Sequence, residues 1–228
     1  MPTVPVRSIR PDYEALANTL PLLARQFNCS ISDASHRDVA TMLAAVESVD
    51  WHLDRRPTQS DRERFGEVVV ARLCESNTGA DDLPGDVGAR IGELRQVLKR
   101  RGVQKPFARI TRGIFRNAER MRTAGSISEY SSRACREGLL LVGASLLLLP
   151  EVDDRLRAWL IRMAGPANLA DKLRDAQDDF RAGELAMRPG IRFYSLLATH
   201  LTVQLAAALW FHPHPWFLWR WARPLLRP

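Results

Sequence analysis

Apolar and polar positions along the chain follow one helical pattern after another, with few alternating runs of β-branched residues. The pattern predicts helices over 12–27, 34–55, 60–76, 86–101, 106–123, 127–149, 152–182 and 191–211, the seventh broken at Gly165-Pro166. Helix-breaking punctuation separates them: Arg56-Pro57, Asn77-Thr78-Gly79, Leu83-Pro84-Gly85, Gly102, Gly125, Pro150 and Pro189-Gly190. Ser60 and Ser126 are placed to start helices, and Ser126-Ile-Ser-Glu129 has capping-box spacing. The expected fold is all-α, a single helical domain over residues 1–228.

Two stretches are more apolar than the rest. Leu139–Leu149 spans eleven residues, too short for the ~20 that cross a bilayer, and reads as a buried central helix. Ser195–Phe211 is longer, but His200 and Gln204 interrupt it, so a core helix is favoured over a membrane span. Beyond it, the tail 210–228 sets Trp210, Phe211, Trp216, Phe217, Trp219 and Trp221 beside Arg220, Arg223 and Arg227. That mixture suits the headgroup layer of a membrane, and equally a tail wrapped over the protein's own core.

Composition narrows the class. With 228 residues, 46% of them hydrophobic, the chain has ample material for a core. Its three cysteines, Cys29, Cys74 and Cys135, are scattered and odd in number, which fits reduced thiols. Residues 1–10 show no apolar secretory stretch, so a cytoplasmic location is expected, with any membrane contact through the tail. The net charge of +7 attracts phosphates of any kind. No nucleic-acid module is visible, and nucleic acid is not an expected partner.

Fifteen aspartates in 228 residues would give about one Asp-x-x-x-Asp pair by chance, and there are four. Asp82/Asp86 straddles Pro84-Gly85 and is read as a loop. Asp50/Asp54, Asp171/Asp175 and Asp175/Asp179 fall within helical patterns, where residues four apart share a face. Asn168 joins the last two pairs in phase, giving one polar stripe. Carboxylates stacked on one face repel unless cations lie among them. An oxygen-only donor set selects a hard cation, and magnesium binds through a few carboxylates plus substrate phosphates. Two such helices, facing each other, would clamp magnesium around a diphosphate and let its C–O bond break.

The motifs resemble a known family. Asn168-Leu-Ala-Asp-Lys-Leu-Arg-Asp175-Ala-Gln-Asp-Asp179-Phe-Arg-Ala-Gly183-Glu is similar to the second aspartate-rich motif of the squalene/phytoene synthase superfamily, and Asp50-Trp-His-Leu-Asp54 to its first. Their separation, 125 residues from Asp50 to Asp175, is similar to that of the family. Asp171 stands where the family often has asparagine, and Asn168 where it often has glutamine. Cys135-Arg-Glu-Gly138-Leu-Leu-Leu-Val142-Gly143 resembles the helix whose small residues leave room for a polyprenyl chain. The run from Gly183-Glu-Leu to Arg192-Phe-Tyr194 looks more like bacterial large-terpene synthases of the tetraprenyl-β-curcumene type.

The resemblance covers roughly residues 40–195. It implies a helical bundle around a central apolar cavity, a prenyl diphosphate substrate and Mg2+ held by Asp50, Asp54, Asp171, Asp175 and Asp179. The implied reaction is class I ionisation followed by cyclisation. Head-to-head coupling is the alternative, and a non-catalytic helical binding protein a third reading. The family's early Ser-x-Ser-Phe motif has only a faint echo in Cys29-Ser-Ile-Ser32, and Ala134 stands where the family has tyrosine. Both departures point away from coupling.

Asn168, Asp171, Lys172, Arg174, Arg192, Tyr194, Arg133 and Gly138 are the expected substrate-binding residues, the cations because arginine and lysine hold phosphate oxygens. His52 is expected to pack or hydrogen-bond rather than ligate, since magnesium prefers oxygen. Trp51, Phe193 and Trp210 read as core rather than carbocation-facing rings. Arg109, Arg112, Arg116 and Arg120 share a face read as solvated or membrane-facing.

Overall fold

The computed structural model describes residues 11–74 and 83–210, with side chains of the first helix from Ala17 onward. Those residues are all-helical: α1 Pro11–Gln26, α2 Asp33–Leu53, α3 Gln59–Cys74, α4 Gly85–Arg101, α5 Gln104–Arg122, α6 Ile127–Leu146, α7 Asp154–Arg181 and α8 Ile191–Trp210. Each expected helix is present. Local chemistry sets several ends. The hydroxyls of Ser32, Thr58 and Ser126 accept the amides of Ser35, Asp61 and Glu129, and the Asp153 carboxylate accepts that of Leu156. Thr58, rather than Ser60, therefore starts α3. Gly102, at φ 70°, ends α4 in the left-handed conformation that glycine adopts without strain.

The expected break at Gly165-Pro166 does not occur, and α7 runs through it unbroken. Both residues are buried. A side chain at Gly165 would come within 2.6 Å of Gln204 Oε1 on α8 and 3.4 Å of the Cys135 thiol on α6. Tight packing on both sides thus holds the proline in the helix. Gly138 is tighter still, for a Cβ there would lie 2.1 Å from the Ala164 carbonyl oxygen. A backbone atom cannot yield as a side chain can. Gly138→Ala is therefore expected to force α6 from α7 and to cost about 1–3 kcal/mol or more in urea denaturation.

Two apolar clusters run through the fold. The larger joins α1 to α5 with the C-terminal part of α6, the N-terminal part of α7 and the end of α8. The smaller, around Tyr130, Leu169, Leu185 and Phe193, ties α6, α7 and α8 together. The Leu139–Leu149 stretch is not a buried central helix. Leu139 is 45% exposed, and only Ala144, Leu148 and Leu149 in it are buried. The expectation of a core helix near the C-terminus also changes. α8 is long and apolar enough to cross a membrane by length and composition, yet only 17% of that window is buried. Phe193, Leu197 and Ala208 form its inward contacts, while Trp210 is exposed. The tail beyond Trp210 lies outside the described residues.

One network fixes how α2 lies relative to α7. Glu151, in the turn before α7, accepts hydrogen bonds from Ser32 (2.6 Å) and Ser35 (2.7 and 2.9 Å) at the start of α2. Arg101 donates to Ser35 at 2.9 Å and, with Arg100, clasps the buried Asp38. Burial pushes the Glu151 carboxyl up, but the Ser32 and Ser35 hydroxyls outweigh it and hold it below its ordinary range. The N-termini of α2 and α7 thus share one end of the molecule. Asp50 lies seventeen residues beyond Asp33, and Asp171 seventeen beyond Asp154. At 1.5 Å per residue both sit about 26 Å up their helices. Cys29 and Ser32 belong to the opposite end, where Cys29 donates to the Glu151 carbonyl, so this echo of a substrate motif is a structural tether.

Candidate active site

Along α2, Val39, Leu43, Val46, Asp50 and Asp54 fall on one face, and along α7 so do Leu160, Ala164, Asn168, Asp171, Asp175 and Asp179. Val39 and Leu43 of the α2 face and Leu160 and Ala164 of the α7 face line a pocket of about 160 Å³, shared with Leu20 and Leu23 of α1 and Val142 and Leu146 of α6. Trp159 gives that pocket an aromatic wall. The acidic halves lie toward the C-terminal ends.

Lys172 is the centre of the acidic region. Its ammonium stands 3.8 Å from Glu137 Oε2 on α6, both side chains being mostly buried. Asn168 donates to the Ala134 carbonyl at 2.8 Å and to Glu137 Oε2 at 3.0 Å, which fixes Glu137 in place. Burial alone would push the ammonium pKa down, but Glu137, Asp179, Tyr130 and Asp50 outweigh it and push it up. Carboxylates from α2, α6 and α7 therefore lie within electrostatic reach of one cation. Arg174 is outside this inner group and bridges Asp171 (2.8 Å) and Asp175 (2.7 Å) on the half-exposed side.

There are more negative charges here than Lys172 can balance. Burial and Asp54 push Asp50 up to about 7, with Glu137 and Glu184 adding to the effect. Burial, then Asp175, Asp171 and Asp54, push Asp179 up to about 6 against the pull of Lys172. Burial and Asp54 push Glu184 up to about 7. Glu184 arrives through the end of α7, where Gly183 takes φ 77° and turns the chain so that the Glu184 amide meets the Asp179 carbonyl at 2.7 Å.

Arg122, at the end of α5, faces the same cluster. It donates to Asp54 Oδ1 at 2.5 Å and lies 4.0 Å from Glu184 and 3.8 Å from Glu119. Glu119 is itself held by Arg62 through two bonds of 2.6 and 2.9 Å. Thus Arg62, Glu119 and Arg122 form a chain that ends on Asp54.

The donors are carboxylate oxygens, the chemistry a hard divalent cation requires, and burial first, then neighbouring carboxylates, disfavours their charged forms, a cost that such a cation would relieve. Among the described residues no three acidic, histidine or cysteine side chains stand close enough to grip an ion by themselves. Phosphate oxygens and water would complete the shell, as magnesium usually requires.

Several expected residues lie apart. Arg133 pairs with Glu129 on its own helix at 3.7 Å, and Arg192 is exposed with no ion pair among the described residues. Tyr194 packs edge-on against Phe193 in the smaller apolar cluster, and Gly138 is taken up by the α6–α7 contact. Phe193 itself packs on Tyr130, and Trp51 lies beneath the Arg55 guanidinium. His52 bonds Asp86 at 3.1 Å; Asp86 begins α4 instead of lying in a loop, and Asp82 is outside the described residues.

Glu137, Glu184, Arg122, Tyr130 and Trp159 were not singled out by spacing, because none repeats at a helical interval with a like residue. The available signals were Glu137 and Tyr130 falling on the helix whose small residues resemble the family motif, and Glu184 closing the second aspartate-rich motif. No family model matches the chain, and no curated protein or solved structure matches it either.

Proposed function

We propose that the protein is a class I terpene synthase that ionises an allylic prenyl diphosphate and cyclises the chain. One observation carries the reading: the faces of α2 and α7 that bear the aspartates continue into an apolar pocket. A diphosphate at the acidic end would thus have its hydrocarbon tail directed into hydrocarbon walls. Magnesium held by Asp50, Asp54, Asp171, Asp175 and Asp179 would neutralise the leaving diphosphate as a Lewis acid.

The chain's own residues account for the rest. Lys172 offers a buried ammonium to the diphosphate oxygens, with Glu137 and Asn168 holding its position. Arg122, which donates to Asp54 at the rim of the cluster, would be a second donor to the same oxygens. The pocket's hydrocarbon lining, with Trp159 among its walls, would shield the bound chain from water. At about 160 Å³ the pocket is below the roughly 300–1,000 Å³ of ordinary ligand sites, which favours one chain over the two that coupling needs.

The test is incubation of purified protein with geranyl, farnesyl, geranylgeranyl and longer diphosphates, with and without magnesium. Pyrophosphate release that depends on magnesium, with a product of unchanged carbon count, is expected. A product of doubled carbon count would establish coupling instead. No release from any member of the panel would leave the helical binding protein as the surviving reading.

A further inference from the structure

Arg112, Arg116 and Arg120 stand one turn apart on the exposed side of α5, and none has a carboxylate partner among the described residues. Like charges at this spacing repel. Glu119, the nearest acid on the helix, is already taken by Arg62. The three arginines form one wall of a groove of about 400 Å³ between α5 and α3. Glu63 and Glu67 of α3, both exposed, line its other side. Between the walls lie Leu53, Val70 and the Phe115 ring, which is so close to Gly66 that a Cβ there would be 2.9 Å from the ring, beside the Arg62–Glu119 pair.

A cationic wall, an anionic wall and a hydrocarbon strip between them define a guest with three matching parts. We propose that this groove binds an amphiphile whose head carries both a phosphate diester and an ammonium, the chemistry of an amino-phospholipid. The phosphate lies on the arginines, which hold phosphate oxygens bidentately, and the ammonium on Glu63 and Glu67. The alkyl chain follows Phe115, Val70 and Leu53. The guest is a soluble monomer or a headgroup at a bilayer surface. Its binding needs no divalent cation, which separates it from the aspartate region and makes it independent of the reading given for that region.

The probe is a ten-carbon lysophosphatidylethanolamine below its micelle concentration, titrated calorimetrically in EDTA. Saturable binding is expected. R112A/R116A/R120A should weaken it by more than about tenfold, since each charge-assisted bond is worth about 1.5–3 kcal/mol. E63Q/E67Q should weaken it while sparing decyl phosphate, which lacks the ammonium. Asp50→Ala should bind as wild type. The single variant R116E serves if the triple variant loses helicity. Absence of binding in EDTA, binding indifferent to the arginines, or equal response of both probes to E63Q/E67Q would each overturn the proposal. Flotation with phosphatidylethanolamine vesicles identifies the source. Arginine-dependent flotation assigns the groove to a bilayer, and monomer binding without flotation assigns it to a soluble amphiphile.

Discussion

Asp50→Asn is expected to abolish pyrophosphate release and, at pH 8, to make the protein more stable. The Asp50 carboxyl is pushed up to about 7 in the fold by burial and by Asp54, against an ordinary value of 3.8. Between those two values the folded state binds the proton more tightly than the unfolded state. Stability therefore falls as pH rises from about 4 to about 7 and levels off above. Asparagine keeps the shape and removes the charge, so it removes this fall.

One pKa unit is worth about 1.4 kcal/mol, and Asp54 and Glu184 share the repulsion, so a gain of about 1–3 kcal/mol at pH 8 is the expected scale. For a chain of this length that is about 2–4 °C in melting temperature per kcal/mol. At pH 4, where Asp50 is protonated in the fold, the two proteins should melt together. Melting curves at both pH values decide the matter. An Asp50→Asn protein no more stable at pH 8, or equally more stable at both, would show that the carboxylates do not repel one another as described. Retained turnover would place the metal elsewhere.

Much of this site could be read in the sequence, and the part that could not has a physical reason. Asp50/Asp54 and Asp171/Asp175/Asp179 declare themselves because a repeat of four on a helix selects one face. That the two stripes lie at the same level depends on Glu151, whose bonds to Ser32 and Ser35 set the two helices at a common starting level. No spacing rule predicts a contact across more than a hundred residues. Glu137 enters the site because α6 packs against α7 at Gly138, and Glu184 because Gly183 adopts a positive φ. Arg192 and Tyr194 match the family pattern in sequence, yet neither makes an ion pair or hydrogen bond to the acidic cluster among the described residues. The Leu139–Leu149 run shows the opposite failure. Its hydrophobicity suggests burial on all sides, whereas part of it lines a pocket and Leu139 faces outward.

Magnesium and pyrophosphate together are expected to raise the melting temperature far more than either alone. The acidic cluster repels a bare diphosphate, because Lys172 and Arg122 are already engaged by Glu137 and Asp54. Magnesium alone finds carboxylates that do not converge on a single point, and it holds weakly without phosphate oxygens. Together each supplies what the other lacks. A ligand bound only by the folded state adds about 2.7 kcal/mol at a hundred times its dissociation constant, or about 5–10 °C for a chain of this length. Lys172→Met should erase the joint shift, since it removes the buried ammonium proposed to meet the diphosphate oxygens. Its own stability is expected to fall, because Glu137 is left buried beside the other acids without a counter-charge. Arg122→Ala separates the two effects, leaving Lys172 in place but removing the cation on Asp54. It should weaken the pyrophosphate shift and strengthen the small shift from magnesium alone. Additive shifts in the wild-type protein, or a joint shift that survives Lys172→Met, would break the link between the acidic cluster and diphosphate binding.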